Sequence, residues 1–125
     1  MPDRLRNLVS DEVDECCEED VEERRRFLRR LRRRVDDETD TEDLRALSAL
    51  GDETKHLIVR LLAVSEEARC VCELDTVLDV TESAASHALS ELHELGLVER
   101  EKRGKWRYYS TTERAERLID ALEDT

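Results

Sequence analysis

The stretch CVCELDTVLDVTESAASHALSELHELGLV, residues 70–98, decides the fold. Thr81 stands where a hydroxyl caps a helix. Ala85, Leu89, Leu92 and Leu95 then recur at spacings of four, three and three. That period lines one face of a helix. Gly96 follows at the position where helices end on a left-handed residue. Upstream, Val71–Leu78 predicts a short helix, and Asp79-Val80 leads into the next. Two helices joined by a tight turn form a helix-turn-helix pair.

Working outward, Thr41 caps a helix carrying Leu44, Leu47 and Leu50, and Gly51 ends it. A second helix carries Leu57, Ile58, Leu61 and Leu62 to about Val64, and Ser65–Arg69 is a polar connection. Downstream, Leu97–Arg100 and Trp106–Ser110 are strand-like runs around Gly104, a hairpin. Thr111 caps a last helix bearing Ala115, Leu118, Ile119 and Leu122. The predicted fold is mainly α with a small β-hairpin: a winged helix-turn-helix over residues 42–125, preceded by a charged arm at 1–41.

The arm is blocked by charge. Residues 1–23 hold ten acids against Arg4 and Arg6, residues 24–34 hold eight Arg and no acid, and residues 36–43 hold six acids. Cys17, Val21, Leu28, Leu31 and Val35 keep a helical spacing within it, which predicts a helix from about 11 to 35 and an acidic linker at 36–41. The Arg run could contact DNA beside the winged domain. It could equally pair with the flanking acids or with those of a partner subunit.

Composition narrows the function. The net charge of -12 argues against generic nucleic-acid binding, so any such reading must rest on local charge. Of 21 bases, 18 are Arg, and this acidic, Lys-poor balance is expected of adaptation to high salt, a halophile's composition, the plainer alternative being a merely acidic protein. No apolar run approaches a membrane span, and no secretory signal opens the chain, so a cytoplasmic, reducing location is expected, with free thiols rather than disulfides. No Gly-rich phosphate loop, His-Glu-x-x-His or Cys-x-x-Cys is present, so an enzyme is not expected.

Local charge and face chemistry point to duplex DNA. With Leu89 and Leu92 inward, Ser83, Ser86, His87 and Ser90 share the outer face of their helix, behind Thr81 at its start. Short polar groups can approach a major-groove floor closely, although any amphipathic helix also has a solvated face. The hairpin sharpens the reading. Arg100, Lys102, Arg103, Lys105 and Arg107 stand against Glu101 alone, a local +4. Such a patch is an electrostatic footprint for phosphates. Trp106, Tyr108 and Tyr109 are expected to pack the hairpin.

The segments LSALGDETKHLIVRLL (47–62), CVCELDTVLDVTESAASHALSELHELGLV (70–98) and REKRGKWRYY (100–109) resemble the ArsR/SmtB family of winged-helix metal-sensing repressors. The resemblance spans Leu44 to Leu122. It implies a homodimer built on the helix at 42–50 and the last helix, which binds an operator and releases it when a metal ion or metalloid is captured.

The thiols fit that role. Cys16-Cys17 and Cys70-Val71-Cys72 offer soft ligands suited to As(III), Sb(III), Cd, Pb, Zn or Cu(I). Residues two apart on a helix diverge by about 200°, so Cys70 and Cys72 chelate best with Cys70 at or before the first turn. The helix N-terminus there also favours thiolate. Buried free cysteine as a small apolar residue is the plainer reading. Arsenite-sensing members of the family carry a third Cys three places after the second, where this chain has Asp75. Cys16 or Cys17 is then the expected source of a third sulfur, from the other subunit, and all four together would suit tetrahedral Cd or Zn. Arsenite or antimonite is the first choice of effector and Cd, Pb or Zn the second. A thiol-redox switch on the same scaffold is the alternative, and a non-sensing assembly module is a third reading. The zinc site that some relatives carry on the last helix is excluded, because Thr111–Leu122 has no His.

The outer-face assignment generates a test. Replacing Ser86 and His87 together by Ala should lower the preference for operator over random DNA more than it lowers random-DNA binding. Parallel loss of both affinities in competition titrations would assign this helix to the backbone rather than to bases.

Overall fold

The computed structural model describes residues 4–12 and 18–123. The chain divides into two compact units, Met1–Asp40 and Thr41–Thr125.

The first unit holds α1 (Arg4–Glu12) and α2 (Glu18–Glu38). The helix expected from about 11 to 35 corresponds to α2, which runs three residues further; residues 13–17, near its expected start, lie outside the described residues. Leu5, Leu8 and Val9 supply an apolar face for an earlier helix, in which Val9 is buried. At the far end α2 runs through most of the expected acidic linker. Asp36 and Glu38 pair with Arg32 and Arg34 one turn back, and this i,i+4 pairing carries the helix onward. Arg24 binds Glu12 at 2.7 Å, and Arg6 pairs with Glu18. Val21 is buried, but Leu28, Leu31 and Val35 stay exposed.

The second unit runs α3 (Thr41–Leu50), α4 (Glu53–Ser65), β1 (Arg69–Cys70), α5 (Val71–Leu74), α6 (Glu82–Glu94), β2 (Val98–Arg103), β3 (Trp106–Thr111) and α7 (Glu113–Glu123). The strands form an antiparallel sheet in the order β1-β3-β2. One core joins Ile58 and Val59 of α4, Ala85, Leu89 and Leu92 of α6, Leu97, Val98 and Tyr109 of the hairpin region, and Ala115 and Ile119 of α7.

Local chemistry sets the boundaries. Asp52 caps α4 by accepting from Lys55 N at 3.0 Å, and Thr81 caps α6 by accepting from Ala84 N at 3.1 Å. At the end of α6, Gly96 has φ +71°; Leu97 N donates to Leu92 O and Gly96 N to His93 O, the paired bonds of a Schellman motif. Arg114 reaches back from α7 to donate to Leu95 O at 3.1 Å and to pair with Asp43 at 2.6 Å.

Three details differ from expectation. The helix expected at 71–78 stops at Leu74; Leu78 is buried from the irregular connection that follows the turn at 75–77, so its apolar character does not require helix. Arg69 and Cys70, expected within and after a polar connection, pair with Tyr109 and Tyr108 as a third strand. Thr112, not Thr111, caps the last helix, accepting from Ala115 N at 3.2 Å, because Thr111 is still in β3.

These contacts fix two expected costs. Leu92 is wholly buried, so Leu92→Ala should lower the unfolding free energy by about 2–5 kcal/mol. Gly96→Ala should cost about 1–2 kcal/mol, because an L side chain resists the left-handed conformation. Urea unfolding at one fixed salt concentration measures both. A Leu92→Ala protein as stable as the parent would remove that residue from the core.

Candidate thiol site and nucleic-acid interface

Cys70 ends β1 and caps α5 with an extended backbone, φ −85° and ψ 163°. Its side chain therefore does not follow the helical step and converges on that of Cys72, the second residue of α5. The Cα atoms lie 5.3 Å apart and the sulfurs are joined as a disulfide. The expectation of free thiols is corrected by that bond, for which the extended cap supplies the geometry. The expectation that Cys70 precedes the first turn agrees with the backbone. Cys70 is buried and Cys72 exposed, so one face of the pair is open.

Glu73 holds this corner together. Its carboxylate accepts from Cys70 N at 3.2 Å and from Arg69 Nη1 at 3.0 Å. The Cys70 N–H first, and the Arg69 guanidinium second, hold its carboxyl below the usual range. Arg69 also donates from Nε to Ser65 Oγ at 2.8 Å. Nothing in the sequence reading assigned Glu73 this part, although its position three residues after the cap is a capping-box signal. Asp75, at the place of the family's third thiol, is the C-cap of α5. Among the described residues no group of three or more His, Cys, Asp or Glu is arranged to hold a metal ion. Cys16 and Cys17 lie outside the described residues.

On α6, Ser83, His87 and Ser90 are exposed and Ser86 is half-buried, and Thr81, also exposed, is engaged as the helix cap. Sequence reasoning missed a chain of polar contacts on this face. His87 Nε2 lies 2.7 Å from Glu91 Oε1, and Lys55 Nζ of α4 lies 2.5 Å from Glu91 Oε2. Hydrogen bonding from Lys55, above all, lowers the Glu91 carboxyl below its ordinary range. The i,i+4 spacing of His87 and Glu91 was visible in the sequence; the approach of Lys55 required the fold. Of the remaining histidines, His56 Nδ1 lies 2.9 Å from Leu50 O and His93 Nδ1 3.4 Å from Val98 O, both structural contacts.

The hairpin splits its bases between two faces. Register pairs Arg100 with Tyr109 and Lys102 with Arg107 on one face, and Glu101 with Tyr108 and Arg103 with Trp106 on the other. Lys102, Arg103, Lys105 and Arg107 are all exposed. Arg103 is bound to Glu101 at 3.1 Å and lies 4.6 Å over the Tyr108 ring. Its guanidinium is thereby neutralised locally, and its pKa is raised chiefly by the Glu101 hydrogen bond. Lys105 sits 5.3 Å over Trp106. Arg100, Lys102, Lys105 and Arg107 form no ion pair among the described residues. Because Cys70 pairs with Tyr108, the thiol corner and the basic hairpin share one sheet. Among the described residues no helix is long and apolar enough to cross a membrane.

Residues 52–100 match the family described as bacterial regulatory protein, arsR family. ArsR of Halobacterium salinarum, named for repression of the arsenical resistance operon, is 43% identical over 96% of this chain and 93% of its own length. The cadmium resistance transcriptional regulatory protein CadC of Listeria innocua is 40% identical over 48% of this chain and 50% of its own. Among solved structures, the homodimeric winged helix-turn-helix DNA-binding domain of a Mycobacterium bovis protein, described as "a possible ArsR-family transcriptional regulator", superposes with a TM-score of 0.59. It is 29% identical and covers 66% of this chain and 75% of that one. The chain belongs to the arsR family of winged helix-turn-helix transcriptional repressors, among relatives named for arsenical and cadmium resistance.

Proposed function

We propose that this chain is a homodimeric operator-binding repressor that releases DNA when Cys70 and Cys72, as reduced thiols, capture arsenite or antimonite. The observation that carries the reading is the convergence of the two sulfurs at the start of α5, on a strand paired with the basic hairpin. Two soft donors aimed at one point suit a thiophilic ion. Arsenite exchanges its hydroxyls for thiolates and releases water, one bond per sulfur. A pyramidal three-sulfur product needs one more thiol, and Cys16 and Cys17 are the remaining thiols in the chain. Four sulfurs would suit tetrahedral Cd or Zn instead. Exposed Leu44 and Leu47 on α3 and Leu122 on α7 support pairing of two copies through those helices. DNA would be read by Ser83, Ser86, His87 and Ser90 and held by the hairpin. The effector acts only by favouring the DNA-free conformation, and the β1–β3 pairing offers a direct mechanical link for that preference.

A second reading rests on the disulfide itself: oxidation of the pair, with two protons and two electrons passing to an oxidant such as a peroxide, would be the switch. Release by arsenite in the presence of a phosphine reductant, which keeps the thiols reduced without offering sulfur ligands, supports the metalloid reading. Release by peroxide alone, reversed by dithiothreitol, supports the redox one.

Two outcomes are expected. Cys72→Ser should leave operator affinity intact and abolish arsenite-driven release, because a hydroxyl coordinates arsenic weakly beside a thiolate. Cys16→Ser with Cys17→Ser should lower inducer sensitivity ten-fold or more, a decade corresponding to about 1.4 kcal/mol. Release at parental arsenite levels by that double variant would remove both residues from the site, and arsenic-edge absorption on the reduced complex counts the sulfurs independently. For the hairpin, Lys102→Ala with Arg107→Ala should flatten the dependence of log affinity on log salt by about one to two units, at about 0.9 per phosphate contact. An unchanged slope would remove the hairpin from DNA contact.

A further inference from the structure

Helix α2 has two opposed faces. At about 100° per residue, Leu28, Leu31 and Val35 lie on one side, and Arg26, Arg30 and Arg33 lie on the other at i, i+4 and i+7. Acid pairing stops at the second face. Arg24, Arg29, Arg32 and Arg34 each meet a carboxylate. Arg26, Arg30 and Arg33 are exposed and have no carboxylate partner among the described residues. Arg30 instead lies 5.9 Å over the Phe27 ring. Like charges at this spacing repel and disfavour the helix. Acids are not lacking, since α2 itself carries eight of them. Three guanidinium groups left open on one face of so acidic a chain mark a surface for an external polyanion.

We propose that α2 is a second DNA-contacting element, laying Arg26, Arg30 and Arg33 along the phosphate backbone of duplex DNA. This rests on the operator-binding reading above. Guanidinium forks match phosphate oxygens in geometry as well as charge. Seven residues of helix span about 10 Å, roughly the axial length of three phosphates on one strand at about 3.4 Å each. The acids of α2 favour DNA over a lipid surface. They sit at its two ends, in Glu18–Glu23 and Asp36–Glu38. A helix lying flat on an anionic bilayer would bring both ends to the headgroups, whereas the convex DNA cylinder meets a helix over a short central patch, where the Arg residues are.

The test uses the full chain and a random-sequence duplex, with anisotropy titrations over a range of KCl. Arg26→Gln, Arg30→Gln and Arg33→Gln are combined, since Gln keeps helix propensity. The salt slope should become shallower by about two to three units, at about 0.9 per lost phosphate contact. The matching triple Lys variant keeps the charge and should retain the parental slope, which excludes unfolding of the arm as the cause. An unchanged slope in the Gln variant, with the hairpin variant still reduced, would overturn this proposal and leave the repressor reading standing. Absence of any duplex binding by the parent protein would sink both. An unchanged slope with a smaller sedimenting species would assign the Arg face to a second copy of the chain. An unchanged slope with lost binding to phosphatidylglycerol vesicles would assign it to lipid. Either result overturns the proposal.

Discussion

The extended backbone at Cys70 is the constraint on which the second unit turns. One residue closes a strand, caps a helix and supplies a sulfur. Were its dihedrals helical, its side chain would leave Cys72 by about 200° around the axis. Its N–H would no longer meet Glu73, and β1 would lose one of its two pairings with β3. The thiol pair, the start of the helix-turn-helix and the third strand of the wing therefore stand or fall together. Glu73 and Arg69 secure that conformation from the polar side, and buried Leu74 secures it from the apolar side.

Where two independent signals coincided, the sequence was legible. Thr81 and Gly96 bracket an apolar 3-4 spacing, and α6 falls between them within a residue of its expected end. α5 was overextended because Val77, Leu78 and Val80 continue an apolar pattern that a turn satisfies equally well. β1 could not be seen at all: two residues show no alternation, and the partner strand lies almost forty positions away in the chain. At the site, the Cys-x-Cys pair and the basic hairpin were readable as residue types at a spacing. Which base remains available was not readable, because it depends on strand faces. Arg103 shares a face with Glu101 and Tyr108, whereas Lys102 and Arg107 stand together on the other. In the arm the apolar stripe was found, but its boundaries followed ion pairs one turn apart that composition alone described as a linker.

The charge pattern has a physical logic of its own. The chain is acidic overall, yet 13 of its 21 basic residues are gathered into the hairpin and one span of α2. In concentrated salt the screening length falls to about 3 Å at 1 M. Long-range steering by these patches is then lost, and only groups in direct contact act on one another. Under such conditions the short polar face of α6, in the proposed DNA-reading role, would carry more of the discrimination. The negative charge of Glu91 on that helix is offset by the Lys55 ammonium at 2.5 Å.

The brevity of α5 has a consequence for how a bound effector is felt. A single turn, closed by the bond from Asp75 N to Val71 O at 2.8 Å, is far below the length at which a helix sustains itself. It persists because its neighbours hold it, so its amides belong to the class that opens locally and exchanges with solvent well before the core does. Under the proposed capture, a ligand gripping Cys70 and Cys72 would work against a soft element. Rebuilding one turn requires little free energy, so most of the differential affinity would remain to act on helix α6, which packs against α5.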